Sequence, residues 1–293
     1  MLVFFRINLT KVFIFSPMKT KYIVLPSLFG LAFLYSTYSF ANHNNLPSKH
    51  LDKNISSNWE SGNEVISNYI IDDSTKHLIS GQYVAHKFYS FLYSEKHEQP
   101  FWVNYVLTKD MLLNPITKRK DDFRPDPQVT TGSAELVDYV GSGYDRGHLC
   151  PAKDMESSVL GMSESFFMSN MSPQHPSLNR GRWKQLEGQV RKWSLEYDSL
   201  IVYCGGVLDS ISDYIGPNKV AVPEYYYKVV YSVKENKGIA FIMPNKKCEL
   251  DLTQYAVTID FVESITHIDF FEDYPTELQE YFESQYDVGH WFK

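Results

Sequence analysis

Along the 293 residues the apolar and polar positions fall into a few distinct regimes. Tyr22 to Tyr38 is an almost unbroken apolar run behind Lys19 and Lys21, and Ser39-Phe40-Ala41 supplies a small-x-small step. That order predicts a cleavable export signal over residues 1–41. Met18 directly before the lysines is then the expected true start, and an uncleaved membrane anchor is the alternative. Residues 42–82 carry many Asn, Ser, His and Asp and read as a spacer or irregular arm. The globular domain is expected over 83–275, with an acidic helical tail over 276–293.

Within the domain, β-branched and aromatic clustering predicts strands at Phe101–Leu107, Phe166–Met168, Leu200–Tyr203, Tyr226–Val233 and Gly238–Met243. Lys118–Pro127 is charged, holds two prolines and predicts a surface loop. Leu178–Trp193 is the best helical stretch, with Ser177 as its cap. A second helix is expected from Asp260, where Glu263 completes a capping-box spacing, and a third over Glu277–Tyr286. Strands interleaved with helices, and no internal repeat, give an α+β class with a central antiparallel sheet flanked by helices.

Composition changes this picture in two places. The chain carries −7, and residues 1–41 hold four of its 28 basic residues and no acid, so the remainder stands at −11. A globally acidic protein meets nucleic acid through a local patch and not through net charge. Cys150, Cys204 and Cys248 are too few for a disulfide framework or a cysteine zinc site. One bridge with an odd thiol and three buried free thiols stand as equal alternatives.

The candidate chemistry concentrates in Tyr144–Met155, Ser169-Asn-Met-Ser-Pro-Gln174 and Leu178–Arg191. Hydrolysis of a phosphodiester needs a base for water, a cation at the leaving oxygen and positive charge around phosphorus. His148 alone titrates near neutrality, and Asp145 or a backbone carbonyl is expected to set its tautomer. If it must be neutral, the rate falls on acidification through its pKa. At about 100° per residue, Asn179 and Glu187 lie about 80° apart and Arg191 about 40° further on, so one helix face can hold all three. The amide oxygen of Asn179 suits a hard cation that keeps most of its waters, Glu187 a place in its outer shell, and Arg191 a phosphate. A solvated amphipathic face is the plain alternative. Arg180, Arg182, Lys184, Arg191 and Lys192 against Glu187 make a local charge of +4, while Trp183 and Trp193 are expected as core anchors.

Asp145-Arg-Gly-His148, the Ser-Asn-Met-Ser-Pro-Gln string and Asn179-x3-Trp183-x3-Glu187-x3-Arg191 resemble the DNA/RNA non-specific endonuclease family, the ββα-metal group of secreted bacterial nucleases and mitochondrial endonuclease G. Phe123–Pro127 and Val220–Lys228 belong to the same likeness. The resemblance implies a ββα-metal fold, a Mg²⁺ or Mn²⁺ cofactor, DNA and RNA substrates and 5′-phosphate products. It implies His148 as general base, Asn179 as metal ligand, and Glu187 as the carboxylate that orients water around the cation. Arg146 and Arg191 are then phosphate contacts, while Arg119, Arg124 and Arg182 compete as further substrate-binding arginines. A secreted or periplasmic location is expected, with no membrane partner once the signal is removed. Homodimerisation and an inhibitor protein stay open, as do a phosphodiesterase of small esters and a silent nucleic-acid-binding protein.

Overall fold

The structure is a computed structural model that describes residues 79–293; the leader at 1–41 and most of the spacer lie outside the described residues. Eleven strands follow in chain order: β1 (Gln82–Ala85), β2 (Tyr89–Ser94), β3 (Gln99–Thr108), β4 (Asp145–His148), β5 (Met171–Gln174), β6 (Ser199–Gly206), β7 (Asp213–Ile215), β8 (Val220–Val222), β9 (Tyr225–Ser232), β10 (Lys237–Pro244) and β11 (Ala256–Val257). Seven of them form one antiparallel sheet in the order β1-β2-β3-β6-β9-β10-β11. The α-helices are α1 (Lys109–Leu113), α2 (Leu136–Tyr139), α3 (Val159–Glu164), α4 (Lys184–Tyr197), α5 (Ile259–Thr266), α6 (Thr276–Glu283) and α7 (Val288–Trp291). Among the described residues no helix is long and apolar enough to cross a membrane.

Side chains alternate across a strand, and this sheet is covered on both faces. On β9, Tyr226 and Val230 enter a core shared with Leu186, Val190 and Trp193 of α4, while Tyr227, Val229 and Tyr231 enter a second core with Ile259 and Val262 of α5 and Phe282 of α6. The sheet is thus the middle of three layers, in agreement with the α+β expectation. The expected strands at 101–107, 200–203, 226–233 and 238–243 all lie in it.

Two local expectations are corrected, and the cysteines follow one of their two alternatives. Phe166–Met168 makes no sheet strand; it closes into a short turn, with a single isolated bridge between Phe167 and Arg124. Its backbone is taken up by turns, because the amides of Phe166 and Phe167 donate to the carbonyls of Ser163 at 3.2 Å and Glu164 at 3.0 Å. The helix expected from Asp260 starts one residue earlier, since the Thr258 hydroxyl accepts from the Phe261 amide at 3.1 Å and is the better cap. All three cysteines are free and buried.

The tail is part of the core. Phe282 stacks at 4.2 Å on Tyr231, and Trp291 meets Trp193 at 4.8 Å between ring centroids on the other face. Trp193 Nε1 also donates to the Trp291 carbonyl. Truncating a fully buried tryptophan costs about 3–5 kcal/mol. Trp291→Ala is expected to lower stability by that amount in urea unfolding; an unchanged midpoint would mean the tail is an appendage.

Candidate active site

The site is built on the hairpin of β4 and β5, which pair antiparallel with His148 opposite Met171 and Asp145 opposite Gln174. Asn170 clamps its end: the Cys150 amide donates to Oδ1 at 2.8 Å and Nδ2 donates to the Cys150 carbonyl at 2.9 Å. Ser172 shares a 2.6 Å hydrogen bond with the Tyr226 hydroxyl, which donates to the Pro173 carbonyl at 2.9 Å. Gly147 is required by contact, because a Cβ there would stand 2.2 Å from Gln174 Oε1. The Ser-Asn-Met-Ser-Pro-Gln string therefore holds the hairpin in place.

Alternation along β4 puts Arg146 and His148 on one face and Asp145 on the other. His148 is 9% exposed, set edge-on to Phe166 at 5.0 Å and near Phe123 at 5.7 Å. The Arg119 guanidinium lies over Phe166 at 5.0 Å, and that of Arg146 over Phe123 at 4.4 Å. Two cations thus flank the imidazole through the same two rings. Burial, then the charges of Arg119 and Arg146, hold its pKa down at about 3. Nε2 is sealed without a partner, so Nδ1 is the nitrogen left to take a proton. Asp145 does not set the tautomer as expected; it faces the helix instead.

Ser177 makes no cap bond. The helix opens at Pro176, whose fixed φ suits a first turn, and the His175 carbonyl accepts from the amides of Leu178 at 2.9 Å and Asn179 at 3.0 Å. Leu178–Trp183 then forms a wide π-type turn, in which Gly181 leaves helical geometry at φ −105°, ψ −114°. A constant 100° step therefore does not run from Asn179 to Glu187, although Glu187 and Arg191 stay one turn apart on α4. Asn179 is placed by its own hydrogen bond: Nδ2 donates to Asp145 Oδ2 at 2.9 Å. That bond fixes which end of the amide is nitrogen and leaves Oδ1 as the donor to a cation.

The arginines separate by their partners. Arg191 donates to Asp154 at 2.7 Å, and that buried carboxylate also accepts from the Tyr105 hydroxyl at 3.2 Å. Arg124 is taken up by Asp122, the Ser163 carbonyl and the Ser163 hydroxyl, over the Phe167 ring. Arg182 turns to Gln185 and the Glu249 carbonyl. Arg119 is the upstream arginine that reaches His148, with Asp121 bonded to its Nε at 2.6 Å. The +4 counted along the helix is offset in space, since Arg180, Arg182 and Arg191 face Asp145, Asp251 and Asp154. Trp183 and Trp193 are buried core anchors.

Glu187 is half-buried on α4. Burial pushes its carboxyl up to about 7 against the charge of Lys228; Asp154 adds to the rise, and Arg191 and Lys184 oppose it. Asp154, Lys228, Phe123 and Phe166 were given no role by sequence reasoning. Asp154, Phe123 and Lys228 carried a signal as members of the quoted strings, and Phe166 did not.

The DNA/RNA non-specific endonuclease family matches residues 67–277. Nuclease EXOG, mitochondrial, of Danio rerio is 32% identical over 197 residues, 61% of this chain and 57% of that protein. The chain thus spans little more than half of that relative. Nuclease 1, mitochondrial, of Schizosaccharomyces pombe is 30% identical over 219 residues, 67% of this chain and 68% of that protein. The crystal structure of an EndoG/EndoGI complex, described as showing the mechanism of EndoG inhibition, superposes with a TM-score of 0.61 at 26% identity, covering 68% of this chain and 89% of that one. The expectation of a secreted or periplasmic protein is corrected here, because both named relatives are mitochondrial nucleases. Absence of acidic residues from a leader is common to export signals and transit segments, so that feature alone does not choose between them. With its hairpin, its helix and 211 residues matched, the chain belongs to the DNA/RNA non-specific endonuclease family.

Proposed function

We propose that the protein is a divalent-metal-dependent endonuclease that hydrolyses phosphodiester bonds of DNA and RNA with little sequence selectivity and leaves 5′-phosphate ends. The observation that carries this reading is the neutral His148 imidazole, sealed at Nε2 and flanked by Arg119 and Arg146. Nδ1 takes the proton from the attacking water, and the two guanidiniums stabilise charge as it develops on the phosphoryl oxygens. Arg191, steadied by Asp154, adds a third cation, while Arg124 and Arg182 serve the scaffold. Contacts to phosphate alone carry no base information, which is why selectivity is weak and both sugars are accepted.

The donor set fits a hard cation: one amide oxygen oriented by Asp145, with Glu187, on the helix that follows, as the carboxyl to hold water in the surrounding shell. We assign Mg²⁺ to Asn179, with Mn²⁺ as a substitute. When bound, it supplies Lewis-acid charge at the phosphate and the leaving oxygen.

Plasmid and RNA are expected to be cut with Mg²⁺ and spared in EDTA, with His148→Ala slower by about 10²–10⁴. Cleavage that survives EDTA removes the cation. Cleavage of a small aryl phosphodiester with polymer untouched would favour the small-ester reading, and binding without turnover the silent one.

The pH dependence follows from the low pKa of His148. The acid limb expected from this residue moves down to about pH 3, so activity that persists at pH 4 is compatible with an imidazole base. In the unfolded chain the ring titrates near about 6.5, so between that value and the folded one only the unfolded state takes up the proton. Its contribution to stability is complete above the unfolded pKa and is lost as pH falls toward the folded one. The urea midpoint is expected to fall more steeply from neutral to acidic pH in wild type than in His148→Leu; equal slopes would contradict a neutral, buried ring.

A further inference from the structure

The proposed mechanism leaves one buried cation unused. Lys228 lies at the middle of β9, opposite Cys204 of β6, and is fully buried. Alternation with Tyr226 and Val230 turns it toward α4. Its Nζ stands 4.9 Å from the Trp183 ring centroid and has no hydrogen-bond partner. The Cys204 thiol lies close enough to interact with it, but sulfur is a weak acceptor and does not satisfy an ammonium.

An ammonium in such a place is strongly unfavourable unless an opposite charge answers it. Two carboxylates respond to Lys228, Asp154 and Glu187. Asp154 is already bonded by Arg191 at 2.7 Å and by the Tyr105 hydroxyl. Glu187 has no such bonded cation, and Lys228 is the positive charge that acts on it most strongly. Trp183, on which the ammonium rests, and Glu187 are four residues apart and therefore neighbours on one helix face. Arg191 is thus the cation bonded to Asp154, and Lys228 is the buried cation beneath the helix that carries Glu187.

We propose that Lys228 is a positioning residue: from beneath the helix, seated on Trp183, it sets the place and charge of the Glu187 carboxylate and through it the affinity of the site for a divalent cation. This rests on reading Glu187 as part of the cation's surroundings. Lys228 touches neither substrate nor cation.

The test is Mn²⁺ binding to the metal-free full chain by calorimetry, for wild type, Glu187→Gln, Lys228→Met, Lys228→Arg and the Glu187→Gln/Lys228→Met double variant. Loss of an outer-shell partner weakens metal binding by about 10–100-fold. Each of Glu187→Gln and Lys228→Met is expected to show a loss in that range, the double variant no more than Glu187→Gln alone, and Lys228→Arg close to wild type. Non-additivity of this kind marks coupled groups, and a merely structural lysine would not produce it. Wild-type binding by Lys228→Met, or losses that multiply in the double variant, overturns the proposal. Wild-type binding by Glu187→Gln instead sinks the reading of Glu187 itself. Should Lys228→Met fail to fold, the ¹⁵N resonance of Lys228 Nζ decides in Glu187→Gln: a clear shift from wild type is expected, and an unmoved resonance overturns the proposal.

Discussion

The hydrogen bond from Asn179 Nδ2 to Asp145 Oδ2 ties the hairpin that carries His148 to the first turn of the helix that carries Asn179, the proposed cation ligand. It does two things at once. It orients a symmetric-looking amide so that oxygen, and not nitrogen, is left over, and it makes the hairpin and the helix one unit. Asp145 holds the neighbouring Arg180 as well, at 2.8 Å to Nε, so the carboxylate joins strand β4 to a helix turn 35 residues further along the chain. The wide turn at Leu178–Trp183 and the break at Gly181 let Asn179 reach that joint while α4 continues in register with the sheet.

Around this joint the molecule keeps its charges in separate environments. His148 is neutral because it is buried between aromatic rings with arginines beyond them; a protonated ring there would face two like charges in a low dielectric. Glu187 and Asp154 lie on the inner side of α4, where Lys228 and Arg191 answer them. Burial, and then the two arginines, keep the His148 imidazole unprotonated, while Lys228 and Arg191 oppose the rise that burial imposes on the Glu187 carboxyl. Packing on both faces of the sheet fixes these environments, and the tail contributes to each face through Phe282 and Trp291.

Much of this was legible in the chain. The strings around His148, Asn170 and Asn179 mark the hairpin and the helix start, and β-branched and aromatic clustering located the central strands. What escaped depends on contacts that no local pattern encodes. Phe166–Met168 looks like a strand because it is apolar, yet its burial comes from packing and its amides donate to the carbonyls of Ser163, Glu164 and Arg124. Arg119 and Arg124 are equivalent as text; only the fold sends one to the Phe166 ring beside His148 and the other to Ser163. Asp145 sits three residues before His148, but strand alternation turns it away. Lys228 reads as one residue of a strand, and its role appears only when Trp183 and Glu187 come to lie above it.

The central claim is that the imidazole of His148 and the amide oxygen of Asn179 share one site across a gap that holds a hydrated cation and a phosphate. Paramagnetic broadening by Mn²⁺ of the His148 ring resonances measures this directly. Strong broadening in wild type that disappears in Asn179→Ala is the predicted result. A His148 signal that stays sharp while Mn²⁺ binds elsewhere would contradict the account.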